Sequence, residues 1–173
     1  IHVWDLPRMA AFYEGVLGLI RSDEGRGANY PVDFIFLTAD PTEHHQFVLV
    51  TGRPKDAGAG LVNQLSFRVG ALAEVRATYQ RAKGAGVEKF RVISHGNAWS
   101  IYFHDPEGNQ IEVYTPTPWY IPQPHGDAFD LESMSDAQIY RWTEQLCRQD
   151  PKFQTRTQWV CATRAKLATR AGG

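Results

Sequence analysis

His95, Tyr102 and Glu112 are the residues of this chain whose types and spacing could do chemistry. An imidazole takes or returns a proton near neutral pH, a phenol hydrogen-bonds an oxygen anion, and a carboxylate holds a divalent cation. Trp99 to His104 alternates Trp99, Ile101 and Phe103 with Ser100, Tyr102 and His104, the period-2 pattern of a half-buried strand. Asp105-Pro106-Glu107-Gly108 is a turn, because proline presets φ, aspartate bonds its own backbone and glycine accepts positive φ. The returning strand puts Ile111 and Val113 on one face and Gln110, Glu112 and Tyr114 on the other. Tyr102 and Glu112 are therefore expected on one polar wall, with His95 following the preceding strand, just before Gly96-Asn97.

These residues sit in the second half of an internal duplication. Ile1, Val3, Leu6, Tyr13 and Gly18 match Phe67, Val69, Leu72, Tyr79 and Gly84 in type, each pair 66 positions apart. Asp40-Pro41 and Gln46 parallel Asp105-Pro106 and Gln110, with the offset slipping to 65 and 64 through small loop deletions. Each unit reads as a strand (1–5; 62–69), a helix (7–18; 71–85) ending at Gly18 or Gly86, and two or three further strands. Met9, Phe12, Tyr13, Val16 and Leu17 make an apolar stripe on the first helix, and Leu72, Val75, Tyr79 and Ala82 make one on the second. The predicted class is α+β: two tandem βαβββ modules, about 1–51 and 62–115, forming a curved mixed sheet around a concave site. Residues 52–61 are the linker, and 116–173 form a tail in which Pro116, Pro118, Pro122 and Pro124 impose an extended segment. Ser135-Asp-Ala-Gln138 is a capping-box start to a helix, so the tail is expected to pack on the domain or on a partner.

Composition removes several function classes. Eighteen basic and 19 acidic residues leave a net charge of −1, with no field to attract nucleic acid or an anionic membrane. No apolar run approaches the ~20 residues that span a bilayer, and no signal peptide is visible, so a cytoplasmic location is expected. Cys147 and Cys161 lie outside any metal-ligand spacing and read as reduced thiols. Ile1 to Leu6 reads as the middle of a strand, so native residues are expected before it.

With these motifs in place, residues 1–115 resemble the vicinal oxygen chelate superfamily, and within it the type I extradiol ring-cleaving dioxygenases. The span His95-(five residues)-Ile101-Tyr102-(two)-Asp105-Pro106-x-Gly108-(three)-Glu112 satisfies the extradiol signature at its constrained positions. The resemblance implies that Glu112 binds the metal and that His95 and Tyr102 hydrogen-bond substrate and oxygen. Glu43-His44-His45-Gln46-Phe47 resembles the family segment whose second histidine, here His45, is the acid/base. Of the family's two histidine ligands, one position is occupied by Gln64, and the repeat offset places the other three residues upstream of Ile1. His44 and His45 are expected on a strand, facing opposite ways.

The implied activity is cleavage of a catechol-like aromatic by O₂ at Fe(II), with Mn(II), Zn(II) or Ni(II) as alternative metals. Gln64 offers a neutral amide oxygen in place of an imidazole, which weakens the preference for iron. It keeps two alternatives open: a non-redox lyase or isomerase of the glyoxalase type, and a metal-free binder of small molecules. The expected partners are a small aromatic diol, O₂ and a second copy of the chain. Trp4, Tyr30, Trp99, Trp119 and Tyr120 are the candidate pocket walls, His2 lines the pocket, and His104 and His125 are ordinary polar residues.

Overall fold

Asp105 holds the turn that Asp-Pro-Glu-Gly predicts. Its Oδ1 accepts from the amides of Glu107 (3.0 Å) and Asn109 (2.9 Å), and its Oδ2 accepts from Asn109 Nδ2 (2.7 Å) and Tyr13 Oη (2.9 Å). The Gly108 amide returns to the Asp105 carbonyl at 3.0 Å, and Gly108 takes φ +82°, which a side chain would disfavour. Glu107, one position from the turn's centre, accepts from the Trp4 and Asp5 amides (2.9 and 3.0 Å) and pairs with Arg53. Its carboxylate is fully buried, so these donors replace the water it has lost.

The computed structural model describes residues 1–28, 30–58 and 62–171. The first repeat folds as β1 (His2–Val3), α1 (Leu6–Leu17), β2 (Ile20–Arg26), β3 (Asp33–Thr38) and β4 (Phe47–Thr51). The second folds as β5 (Leu65–Arg68), α2 (Leu72–Gly84), β6 (Arg91–Ser94), β7 (Ala98–His104) and β8 (Gln110–Pro116). The tail adds β9 (Trp119–Tyr120), β10 (Asp127–Ala128), α3 (Asp136–Cys147), β11 (Gln154–Thr155) and α4 (Arg156–Ala171). The chain is thus α+β, with the βαβββ element order present twice.

Duplication is also visible in the sheets. The first runs β1-β4-β3-β2, and the second contains the same order, β5-β8-β7-β6, with β10 added beyond β6. In the first sheet β1 lies parallel to β4 while the other pairs are antiparallel, which makes it mixed. Each repeat thus has its own hydrogen-bonded sheet, and β11 with β9 forms a separate two-stranded sheet in the tail.

By proximity the chain groups into two units, Ile1–Leu65 with Thr78–Lys89 and Phe103–Ile111, and Ser66–Ala77 with Phe90–Tyr102 and everything from Glu112 on. In the first unit Met9, Ala10, Tyr13 and Val16 of α1 are buried. Val3, Leu37 and Leu49 complete that core. Ala10 replaces Phe12 and Leu17 of the expected stripe, both of which are only half-buried. The last turn of α1 closes on Gly18, whose amide returns to Glu14 O at 3.1 Å.

In the second unit α3 begins where the capping box predicts. Ser135 accepts from the Gln138 amide, and the Gln138 side chain takes the Ser135 amide at 2.8 Å. Its buried face carries Ile139, Thr143 and Cys147. Thr143 Oγ1 accepts from Trp99 Nε1 at 2.8 Å, and Tyr140 packs edge-on against Trp99 at 4.5 Å between ring centroids. Arg76 of α2 donates to the carbonyls of Leu131 and Met134 and pairs with Asp136 at 2.7 Å. The tail is therefore part of the second unit. Among the described residues no helix is long and apolar enough to cross a membrane.

Candidate functional site

Residues 100 and 102 are two apart on β7 and so share a face, as strand parity requires. That face was expected to be half-exposed, yet Ser100 is fully buried and Tyr102 is 7 % exposed. They are buried because they hydrogen-bond one acid. Glu112, 8 % exposed on β8, accepts from Tyr102 Oη (2.6 Å) and Ser100 Oγ (2.9 Å) at Oε1 and from Ser66 Oγ (2.6 Å) at Oε2. Three hydroxyl donors meet the cost of keeping this carboxylate out of water.

His95 completes the group. Its Nε2 lies 2.8 Å from Tyr102 Oη and its Nδ1 lies 2.6 Å from the His125 carbonyl. A carbonyl only accepts, so Nδ1 carries a hydrogen. Burial, then the hydrogen bond and charge of Glu112, push the Tyr102 ionisation far above the ordinary tyrosine range. Tyr102 is therefore a hydrogen-bond donor and not a phenolate base. Arg91, its cross-strand partner, lies 4.9 Å from the Tyr102 ring centroid.

Gly96 follows His95 with φ +73°, and a Cβ there would meet Ile121 at 2.5 Å and Cys147 Sγ at 3.1 Å. Only glycine both adopts this turn and lets the His95 loop pack on the tail.

His95 and Glu112 line a cavity of about 260 Å³ in the second unit, together with Tyr114, Trp119, Tyr120, Arg156 and Trp159. Trp119 and Tyr120 are thus wall residues as expected. Trp99 is not: it is fully buried in the core against α3. Trp4 and Tyr30 are exposed in the first unit, with the Lys55 ammonium over the Trp4 ring at 4.9 Å. His2 contacts the Thr51 carbonyl at 3.1 Å and is exposed. Sequence reasoning missed Ser66, Ser100, Arg156 and Trp159. Ser100 was detectable from its parity with Tyr102, whereas the tail residues carry no local signal.

The structure brings together His95, Tyr102 and Glu112. His45 and Gln64 belong to the first unit. His44 and His45 do not occupy a strand but the loop before β4, both exposed, and instead of facing opposite ways their Nδ1 atoms stand 3.1 Å apart. The cause is Gln46, whose Oε1 accepts from the Ala39 amide (2.7 Å) and Thr38 Oγ1 (3.1 Å), so β4 starts only at Phe47. Gln64 immediately precedes β5, half-buried, with Asn63 Nδ2 3.4 Å from its Oε1. Among the described residues no group of three or more His, Cys, Asp or Glu side chains could hold a metal ion. The carboxylate of Glu112 with the ring of His95 falls short of a two-imidazole, one-carboxylate facial set.

Comparison with known proteins gives the fold its context. Biphenyl-2,3-diol 1,2-dioxygenase 2 of Rhodococcus globerulus is 30% identical over 82 residues, 45% of this chain and 43% of that protein. Biphenyl-2,3-diol 1,2-dioxygenase 3 of the same organism is 31% identical over 117 residues, 62% of this chain and 56% of that protein. The chain spans about half the length of these curated relatives. A glyoxylase/bleomycin resistance protein/dioxygenase domain from Frankia sp. EAN1pec superposes with a TM-score of 0.55 at 20% identity, covering 67% of this chain and 92% of that one. A fosfomycin resistance protein from Listeria monocytogenes, complexed with Mn(II) and sulfate, superposes with a TM-score of 0.52 at 20% identity, covering 68% and 88%. These two likenesses show the fold. The family model described as Glyoxalase/Bleomycin resistance protein/Dioxygenase superfamily matches residues 1–113, the two repeats, and the chain belongs to that superfamily.

Proposed function

We propose that the cavity of the second unit binds a vicinal aromatic diol and that the chain serves extradiol cleavage of a catechol-type ring by O₂. The observation that carries this reading is that Glu112 and His95, joined through the Tyr102 hydroxyl, stand on the wall of an aromatic-lined cavity. Its supports are the signature from His95 to Glu112 and the two biphenyl-diol dioxygenases among the relatives. A diol offers two hydroxyls to a phenol that can donate or accept and to an imidazole that can take one proton and return it. Tyr102, held in its protonated form, orients an oxygen. His95, held by the His125 carbonyl, presents Nε2 to the same oxygen. Trp119, Tyr120 and Trp159 keep bulk water from the ring.

In this reading Fe(II) would supply the oxygen chemistry of ring cleavage, with Glu112 as the carboxylate that would hold it; the donor role of Gln64 rests on the resemblance alone. For His45 the acid/base role rests on the segment resemblance alone. Anaerobic reconstitution with Fe(II) followed by a catechol panel tests the proposal: yellow ring-fission products are expected, and Glu112→Ala abolishes them. Iron demonstrably bound with no product across the panel would overturn it.

One observation favours a second reading, a metal-free binding protein. Glu112 already carries three hydroxyl donors and so needs no cation for its burial. Diol binding at full strength in the presence of a strong chelator, with no turnover on adding metals, would select it.

A further inference from the structure

We infer that the cavity selects an aromatic ligand bearing a carboxylate, with Arg156 as the residue that determines this specificity; the inference rests on the diol-binding reading of the same cavity. The tail supplies the observation. Arg156, half-buried, contributes to the cavity wall beside Trp159, and among the described residues its guanidinium has no hydrogen bond or ion pair. That sets it apart from Arg21, Arg26, Arg53, Arg76 and Arg148, each of which pairs with an aspartate or glutamate.

Its position is held on several sides. The Arg156 amide donates to the Pro118 carbonyl at 2.8 Å, and β11 pairs with β9, Thr155 opposite Trp119 and Gln154 opposite Tyr120. Thr155 and Gln158 exchange hydrogen bonds, the Thr155 amide to Gln158 Oε1 at 2.8 Å and the Gln158 amide to Thr155 Oγ1 at 3.3 Å, which caps α4. Trp159, one turn on, stacks on Tyr120 with 5.5 Å between ring centroids and 21° between planes. The tail thus fixes the backbone that brings Arg156 and an aromatic wall to one cavity.

The chemistry that fits is specific. A guanidinium offers a planar fork of N–H donors that matches a carboxylate and discriminates it from a neutral ester. Aromatic walls favour a flat ring. A volume of about 260 Å³ lies just below the roughly 300–1,000 Å³ usual for ligand cavities, so it suits one substituted ring better than two linked rings. A dihydroxylated benzoate or phenylacetate satisfies all three conditions, its diol meeting His95 and Glu112 and its acid meeting Arg156.

Tryptophan fluorescence of the purified chain measures this without turnover, because Trp119 and Trp159 both line the cavity. The probes are 3,4-dihydroxybenzoate, 2,3-dihydroxybenzoate and 3,4-dihydroxyphenylacetate, each with its methyl ester, and benzoate with methyl benzoate. At least one dihydroxy acid is expected to bind about tenfold or more tightly than its ester. Arg156→Met brings that ratio close to one while ester affinity is retained, which also shows that the variant is folded; Arg156→Lys restores part of the preference. Equal affinity of all acids and esters, or a preference that survives in Arg156→Met, overturns the inference and leaves diol binding standing. Benzoate bound as tightly as the dihydroxy acids, with Arg156-dependent preference over its ester, upholds the carboxylate site and overturns the diol reading. No binding by any probe overturns both.

Discussion

The Tyr102 hydroxyl meets Glu112 Oε1 at 2.6 Å while its own oxygen stands 2.8 Å from His95 Nε2, so one phenol couples the acid to the imidazole. Removing that hydroxyl uncouples them. Tyr102→Phe is expected to weaken diol binding or turnover by about 10- to 100-fold, in line with the loss of one positioned proton-handling group. Because Glu112, 8 % exposed, loses one of its three hydroxyl donors while the Phe ring still fills the same place on β7, stability should also fall, by about 1–3 kcal/mol. A matched fluorescence titration and thermal scan check both outcomes.

Alkaline titration gives a second readout. Burial, with the charge of Asp105 near Tyr13 and of Glu112 near Tyr102, raises the ionisation of both phenols. A raised folded-state value means the unfolded chain releases these protons first, so their contribution to stability is present below the ordinary tyrosine range, about pH 10, and is lost as pH rises through the folded values. Absorbance at 295 nm should therefore show at least two of the seven tyrosines silent up to pH 11 in the folded protein, all seven titrating in denaturant.

Asp105 is a structural acid. Asp105→Ala removes the acceptor of two amides, one side-chain amide and the buried Tyr13 phenol. A loss of about 2–4 kcal/mol of unfolding free energy is expected, since buried donors are left unpaired. Urea denaturation measures it, and Asp105→Asn should recover only part.

Gly96→Ala tests how tightly the tail packs on the His95 loop. The added methyl would meet Ile121 at 2.5 Å in a backbone conformation that disfavours any side chain. A cost of about 2–3 kcal/mol is expected. The smaller Ile121→Ala partner change should relieve part of the clash, which a double-mutant cycle would detect.

The two thiols should separate by reactivity. Cys147 is fully buried, and burial with the charges of Asp150 and Glu144 pushes its ionisation up to about 11, whereas Cys161 is exposed. Thiolates are the reactive form. Iodoacetamide at pH 8 should therefore label Cys161 alone in the folded chain and both residues in denaturant, as read by mass spectrometry.

Local patterning carried the architecture. The 66-residue spacing of like residues, the apolar stripes, Gly18, Gly108 and the Ser135–Gln138 box each act through backbone preference or nearest-turn contacts, so the duplicated βαβββ order, the hairpin and the start of α3 were legible before any coordinates. The same parity that pairs Tyr102 with Glu112 could be counted along two strands joined by a short turn. His44 and His45 were misplaced because a single side chain, Gln46, ties their loop and delays β4, a contact no periodicity reports.

What the sequence by itself determined is therefore the family, the two repeats and the His95–Tyr102–Glu112 set, all consequences of spacing along the chain. Only the tertiary structure decided that Ser66 and Ser100 satisfy Glu112, that Trp99 is core, and that Arg156 and Trp159 close the cavity. Those outcomes depend on which distant segments share buried volume. A side chain 40 or more residues away, as Arg156 is from Glu112, enters a site through strand pairing and packing, and neither is written in the residues around it.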